Sequence, residues 1–478
     1  MLKKLLILSF IEGAVVMTAE LCGAKLLAPI FGSSLYVWAS VMGITLMALA
    51  AGYFFGGLVS VNSKNHQRAL FSILGFAALF VVLMPVLSYY LIPRISYLPF
   101  LIAVVLGTIL LLFFPVFLLG ASSPLFISLQ SGSSDAGKVS GTVYAVSTAG
   151  GIVSTFVCGF YLIPGIGLTA CLVGFGALLF FVNLAVFKFF KPLQLFLFAG
   201  FVYLNIQFGL QKQGQLFVSE SIMGRLEVLD IVIEKEPVRI LRINNIVQSE
   251  MNLKTKNSVS DYVALLDTLI PERRQKGSAL VLGLGGGLNA NLLAAKNYHT
   301  EGVELDERII DVAKKYFYLG NDVLAVCEDA RYFLNHCKKK YDVVLIDIFK
   351  AEEQPSHILT TESLLQLKNN LNPGAVIYIN WHGYVKGSRG EGTAILNNTL
   401  EQAGLEVVLC SRSADENYRN IMFVAALNKP ENLPYQLQEE LFASNLVNTD
   451  NLPLLEKYNA QANKTWRVNY LRYYQKTQ

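Results

Sequence analysis

Charged residues are scarce in this chain of 478 residues: they fill 15% of positions, against 53% hydrophobic, and mean hydropathy is +0.45. A soluble domain carries about a quarter charged residues, so much of the chain is not built to face water. The scarcity is local. Before Glu220 lie only three carboxylates (Glu12, Glu20, Asp135) and ten Lys/Arg, so 32 of the 35 acids and 29 of the 39 bases come later. The first part therefore carries +7 and the second −3, and a boundary is expected at 209–220. No basic stripe is present, which argues against nucleic acid as a partner. The six cysteines show no CxxC or Cys/His spacing, so neither a disulfide framework nor a metal site is expected. Met1-Leu-Lys-Lys4 and its apolar sequel mimic a signal peptide, but no cleavage site is evident and a retained first helix is expected.

A helix crossing a bilayer needs about 20 apolar residues. Seven candidate spans follow: 5–27, 37–61, 69–91, 98–128, 140–164, 167–187 and 193–210. The fourth contains Pro115 and should kink. Charge is absent from Lys25 to Lys64, Arg68 to Arg94, Arg94 to Asp135 and Lys138 to Lys188, as expected where a midplane charge costs several kcal/mol. Gly52-Tyr-Phe-Phe-Gly56 has the spacing for close helix approach. Glu12 and Glu20 in span one lie about 80° apart around a helix; they form either a polar path or structural carboxylates. Most Lys/Arg fall on one side, which puts the N-terminus in the cytoplasm. Seven spans then place the C-terminal part outside, six or eight inside.

After Ser219 the pattern changes. Residues 224–230 and 238–243, with an Asn244-Asn245 turn, predict a small β-hairpin subdomain. Strands are expected at 279–284, 301–305, 323–327, 342–347, 375–380, 405–411 and 420–427, with helices near 292, 312, 334, 365 and 397. Alternation of this kind predicts a parallel, doubly wound α/β Rossmann-like sheet, closed by an antiparallel edge pair. The first strand runs into Gly283-Leu-Gly285-Gly286-Gly287. Glycines at a strand-to-helix turn admit a ligand close to the backbone. Glu304 ends the next strand, 17 residues after Gly287, where a carboxylate can accept ribose hydroxyls. Asp329 ends the third strand, within reach of an adenine edge. The three together predict an adenosine site. Leu288 stands where the third glycine of a dinucleotide fingerprint would be, which favours S-adenosylmethionine or a relative over NAD.

These residues resemble the spermidine synthase (polyamine aminopropyltransferase) family, in its bacterial membrane-fused branch. The N-terminal part is similar in Glu20…Lys25-Leu-Leu-Ala-Pro29…Gly32…Tyr36-Val-Trp38-Ala39 and Leu119-Gly120…Pro124. The C-terminal part is similar in Asn245-Ile-Val-Gln248, Tyr262, the glycine turn, Glu304-Leu-Asp306, Asp329-Ala-Arg331, Tyr341–Asp347 and Pro355-Ser-His357-Ile-Leu-Thr360. The resemblance implies a transmembrane helical bundle (1–210), a linker with the small β subdomain (211–275), a Rossmann-like domain of class I methyltransferase/spermidine synthase type (276–430) and a helical C-terminal tail (431–478). It implies a multi-pass protein of the bacterial plasma membrane. It also implies S-adenosylmethionine or its decarboxylated form as co-substrate, without a metal, held by Gly283, Gly285, Gly287, Glu304, Asp329 and Gln248. Asp347 would be the general base that deprotonates the attacking amine; His357 and His382 are further acid/base candidates.

The departures concern the acids that hold amines, the one in the glycine turn recognising the donor's amine in the family. The family's glycine turn carries an aspartate where this chain has Gly286, and its tyrosine motif carries a glutamate where this chain has Ala264. Its strand-four motif Asp-Ser-Ser-Asp-Pro reads Asp347-Ile-Phe-Lys350-Ala351 here. A cation at 350 opposes a polyamine. The expectation is a transferase moving an aminopropyl or other alkyl group, or a methyl group to a non-polyamine acceptor; a transporter with a nucleoside-binding domain is the other alternative. Expected partners are a small-molecule acceptor and the lipid bilayer, and self-association is left open.

Overall fold

The computed structural model describes residues 2–31, 35–95, 98–130, 136–189, 191–209, 214–221, 223–349 and 357–476. They form two compact units, Met1–Gln213 with Ser219–Arg225, and Gly214–Val218 with Leu226–Gln478.

The first unit is helical: α1 Leu2–Phe31, α2 Leu35–Asn62, α3 His66–Ile95, α4 Phe100–Thr108, α5 Phe114–Gln130, α6 Ala136–Val157, α7 Ile163–Phe187 and α8 Pro192–Gly209. A π-helical turn, Ile109–Phe113, joins α4 to α5. It ends just before Pro115, whose ring would clash with the carbonyl of Leu111 in a regular helix; the wider turn relieves that clash. A second π turn, Cys158–Leu162, links α6 to α7.

Among the described residues, five helical stretches are long and apolar enough to cross a membrane, against the seven spans expected. The difference has two causes. Ala136–Phe187 counts as one 52-residue stretch by its unbroken hydrogen bonding, yet it is two helices meeting at a kink, which keeps the expected boundary between spans 140–164 and 167–187. Run straight, it would be about 78 Å long at 1.5 Å per residue, more than twice a hydrocarbon core of about 30 Å. The kink is at Gly167, whose φ of +83° and ψ of 170° are not helical. The expected span 193–210 is α8, whose apolar stretch Pro192–Gln207 falls short of the others.

Small residues set the bundle's packing. A Cβ on Gly52 would strike the Phe117 carbonyl, and one on Gly56 the Ala121 carbonyl, so α2 and α5 meet backbone to backbone. Gly13 and Gly150 do the same between α1 and α6, against the carbonyls of Ser147 and Phe10. Glu12 is buried there and accepts from Ser147 Oγ at 3.0 Å.

Four strands follow in the order β1 Gln215–Ser221, β2 Gly224–Ile233, β3 Glu236–Ile243 and β4 Ile246–Asn252, a sheet larger than the expected hairpin; the end of β1 and the start of β2 group with the first unit and the rest with the second. Two-residue turns at Glu234-Lys235 and Asn244-Asn245, all at positive φ, join β2 to β3 and β3 to β4.

The α/β domain follows: α9 Asp261–Leu269, β5 Gly277–Leu282, α10 Leu288–Ala295, β6 Tyr298–Glu304, α11 Glu307–Tyr316, β7 Leu324–Cys327, α12 Ala330–His336, β8 Tyr341–Ile346, α13 Thr361–Lys368, β9 Leu371–Trp381, α14 Glu391–Gln402, β10 Glu406–Cys410 and β11 Ile421–Ala426. Its seven strands lie in the order β10-β11-β9-β8-β5-β6-β7, all parallel except β11, which runs antiparallel to both neighbours. From β5 the chain builds outward through β6 and β7, then returns to β5's other side with β8. Ligands bind at such a switch point, beyond the carboxyl ends of the strands.

The C-terminal segment differs from the helical tail expected over 431–478. Between Ala426 and Leu455 there is no helix; helices appear only as α15 Leu455–Tyr458 and α16 Ala460–Lys476. The reason lies at the sheet's edge. Leu437 N–H donates to the Leu409 carbonyl and Ser411 N–H to the Tyr435 carbonyl, so the segment covers the open edge of β10.

Candidate functional site

The site is built where β5 and β8 end side by side. Asp347 N–H donates to the Leu282 carbonyl at 2.9 Å, and Gly283 follows with φ of +90°. A Cβ there would run into the Asp347 carbonyl, so only glycine lets the two strand ends lie so close. Gly285 and Gly287 also have positive φ, and Gly287 caps α10. The turn's N–H groups are already engaged: Gly286 donates to Ser249 Oγ at 2.8 Å and Leu284 to Glu304 Oε2 at 3.2 Å.

Glu304 thus meets the glycine turn, as the sequence pattern requires. Its other oxygen accepts from Asp306 N–H at 3.1 Å. Burial holds its carboxyl above the usual range, against the opposing pull of the backbone N–H groups of Asp306, Leu284 and Gly285. Gln248, on β4, borders the same turn: a methyl on Gly285 would lie 3.8 Å from its carbonyl. Asp329 caps α12, accepting from Tyr332 N–H at 2.9 Å. Its place at the end of β7 is adjacent to Glu304, since Glu328 N–H donates to the Glu304 carbonyl at 3.0 Å.

Asp347 is the most heavily bonded carboxylate of the site. Oδ2 accepts from Asn289 Nδ2 at 2.7 Å and Tyr262 Oη at 3.0 Å, and Oδ1 from Asn380 Nδ2 at 2.8 Å. Burial raises its pKa; the bonds from Asn380, Tyr262 and Asn289 pull it back down. Asn420 extends the set, donating to Asn380 Oδ1 at 2.7 Å. Sequence reasoning missed Asn289, Asn380 and Asn420. A signal existed for one of them: Asn380 closes the apolar run Val376-Ile-Tyr-Ile379 at a strand's carboxyl end.

The histidines divide. His357 is exposed, its carbonyl accepting from Arg331 Nη1 at 2.8 Å, and no hydrogen bond joins its ring to Asp347 among the described residues. His382 is buried and lies 3.3 Å from Asn420 Nδ2 through Nε2. Lys350 and Ala351 lie outside the described residues. The acid that Gly286 replaces would be crowded: a Cβ there would be 3.0 Å from both Phe317 Cδ1 and Ser249 Cβ, so these side chains would have to shift.

Residues 269–382 match the family model of the spermine/spermidine synthase domain. Over 127 residues the chain is 32% identical to a probable polyamine aminopropyl transferase of Bifidobacterium longum, covering 26% of this chain and 28% of that protein. It is 32% identical over 130 residues to an N-terminal histidine N-methyltransferase of Emericella nidulans, covering 26% of this chain and 23% of that one. The matches therefore span less than a third of either relative. The crystal structure of a probable spermidine synthase from Corynebacterium glutamicum superposes with a TM-score of 0.38 at 17% identity, over 49% of this chain and 84% of that one.

Proposed function

From the premise that residues 269–382 belong to the spermine/spermidine synthase domain family, we propose that the chain is a membrane-embedded transferase. It takes S-adenosylmethionine or its decarboxylated form and passes an aminopropyl or other alkyl group to an amine. The observation that carries this reading is Asp347, set at the switch point beside the glycine turn and Glu304. The donor fits the residues present: the turn is a cradle that side chains would fill, and Glu304 is a carboxylate facing it. Asp329 and Gln248 flank the same ground for the adenine and the donor's tail.

In the reaction the amine's lone pair attacks the carbon next to the sulfonium, the C–S bond breaks, and its electron pair leaves sulfur as a neutral thioether. An ammonium has no lone pair to attack with, so a base must take its proton. Asp347, with two oxygens fixed by neutral donors, orients the amine and receives that proton. The five long apolar helical stretches support a multi-pass membrane location.

The test is binding of radiolabelled donor to the full-length protein. Glu304→Ala is expected to abolish it; donor binding that survives the substitution would refute this site. A second reading, methyl transfer to an amine other than a polyamine, is favoured by Gly286 and Ala264 at the places of the family's acids. Product analysis with each donor separates the two.

A further inference from the structure

The hydrogen-bond directions around Asp347 can be followed outward. The Asp347 carboxylate accepts, so Asn380 turns its Nδ2 to it at 2.8 Å and its Oδ1 away. That oxygen needs a donor, so Asn420 presents Nδ2 at 2.7 Å. The same Nδ2 lies 3.3 Å from His382 Nε2, so Nε2 must accept and the ring proton sits on Nδ1. A second proton is disfavoured: burial pushes the pKa of His382 down to about 3. The result is a neutral imidazole with one N–H, on a residue 6% exposed, and Nδ1 has no partner among the described residues.

A buried donor left unpaired costs about 1–3 kcal/mol, and such a group in a native structure calls for a cause. His382 is not a bystander in the core. It directly follows Trp381, the last residue of β9, beyond the carboxyl edge of the sheet where Asp347 lies, and reaches Asn380 through Asn420. Its ring is held by the rings of Phe349 and Trp466, with centroids at 5.2 and 4.5 Å. Its carbonyl is fixed by Asn459 Nδ2 at 2.7 Å.

We infer that His382 Nδ1–H is a specificity-determining donor for the acceptor substrate, binding an oxygen carried near the nucleophilic amine. This deepens the transferase reading and rests on it. The acceptor class is then an amine flanked by a carbonyl or carboxylate, as in an amino acid or the amino end of a peptide. An ammonium group has no lone pair for this N–H, so the device selects against a polyamine.

The experiment uses the full-length protein in detergent, loaded with donor whose binding is measured first. Dissociation constants are then taken by calorimetry for glycinamide, glycine and n-propylamine. Glycinamide and glycine distinguish carbonyl from carboxylate; either is expected to bind at least about 10-fold more tightly than n-propylamine. His382→Phe should remove that preference while leaving n-propylamine and donor affinity unchanged, and His382→Gln, which keeps an N–H, should restore part of it. Equal affinities for all three probes, or an equal loss for all three in His382→Phe, overturn the inference. Failure of the donor itself to bind overturns the transferase reading, and the inference with it.

Discussion

Asn380 Nδ2 lies 2.8 Å from Asp347 Oδ1, a bond that ties the carboxyl ends of two adjacent parallel strands and fixes the proposed base. Burial raises the Asp347 carboxyl and this bond is the largest influence lowering it. Asn380→Ala should therefore raise that pKa further. A base must be ionised to act, so the acid limb of the kcat/KM profile should move to higher pH. At a pH within the limb the rate should fall about 10-fold, given the worth of a hydrogen bond to a charged group. A pH profile coincident with that of the unsubstituted protein would remove Asp347 from the role of base.

Tyr262→Phe tests the other oxygen. Its hydroxyl donates to Asp347 Oδ2 at 3.0 Å, and the phenol is held protonated, far above its ordinary range, by burial and then by the Asp347 charge. The variant should shift the same limb in the same direction and leave donor affinity alone. A changed donor affinity with an unmoved limb would place Tyr262 on the donor side instead.

Glu250 gives a stability test. Burial pushes its carboxyl up to about 7, against a bond from Ser260 Oγ at 3.1 Å. A carboxyl raised on folding favours the folded state while protonated, and that advantage is lost as pH climbs from the unfolded pKa near 4.5 through about 7. Ionised Glu250 therefore destabilises the protein above pH 7 by on the order of 3 kcal/mol. Glu250→Gln should raise Tm at pH 8 and have little effect at pH 4.5; an equal change at both would refute the assignment.

Gly286→Asp returns the family's acid to its position. Because its Cβ would crowd Phe317 and Ser249 at 3.0 Å, we expect a loss of about 1–3 kcal/mol from overpacking and no gain in putrescine affinity. Tm and calorimetric titration with putrescine check both halves.

In the helical unit, neighbouring glycines give a matched pair. A Cβ on Gly56 would strike the Ala121 carbonyl, while one on Gly57 meets nothing within 4 Å. Gly56→Leu should break α2–α5 packing and yield aggregated protein on size exclusion in detergent. Gly57→Leu should remain monodisperse, and equal behaviour of the two would refute this packing.

What the sequence disclosed follows from how local each feature is. Gly283 and Asp347 each follow an unbroken apolar run, Ala279-Leu-Val-Leu282 and Val343-Val-Leu-Ile346, and Glu304 stands 17 residues beyond the glycine turn, so run ends and spacing mark them directly. Asn380 and Asn420 are not marked as partners, because their contact depends on β11 entering antiparallel between β9 and β10. The extended run after Ala426 was hidden for a related reason: its conformation is set by the edge of β10, not by its own residues. The break at Gly167 is legible, because a glycine between two apolar runs marks where one helix ends and the next begins.

The late position of β11 and Trp466 also orders the birth of the molecule. A chain emerging from the ribosome makes its apolar helices first, then the glycine turn, Glu304 and Asp347. Asn420 and the ring that covers His382 arrive only with the last sixty or so residues. Domains fold from the N-terminus during synthesis, so the helical unit can form before Asn420 and Trp466 have been made. In the proposed transferase, a product truncated before Asn420 would lack both that hydrogen-bond donor and the ring over His382, and should be inert.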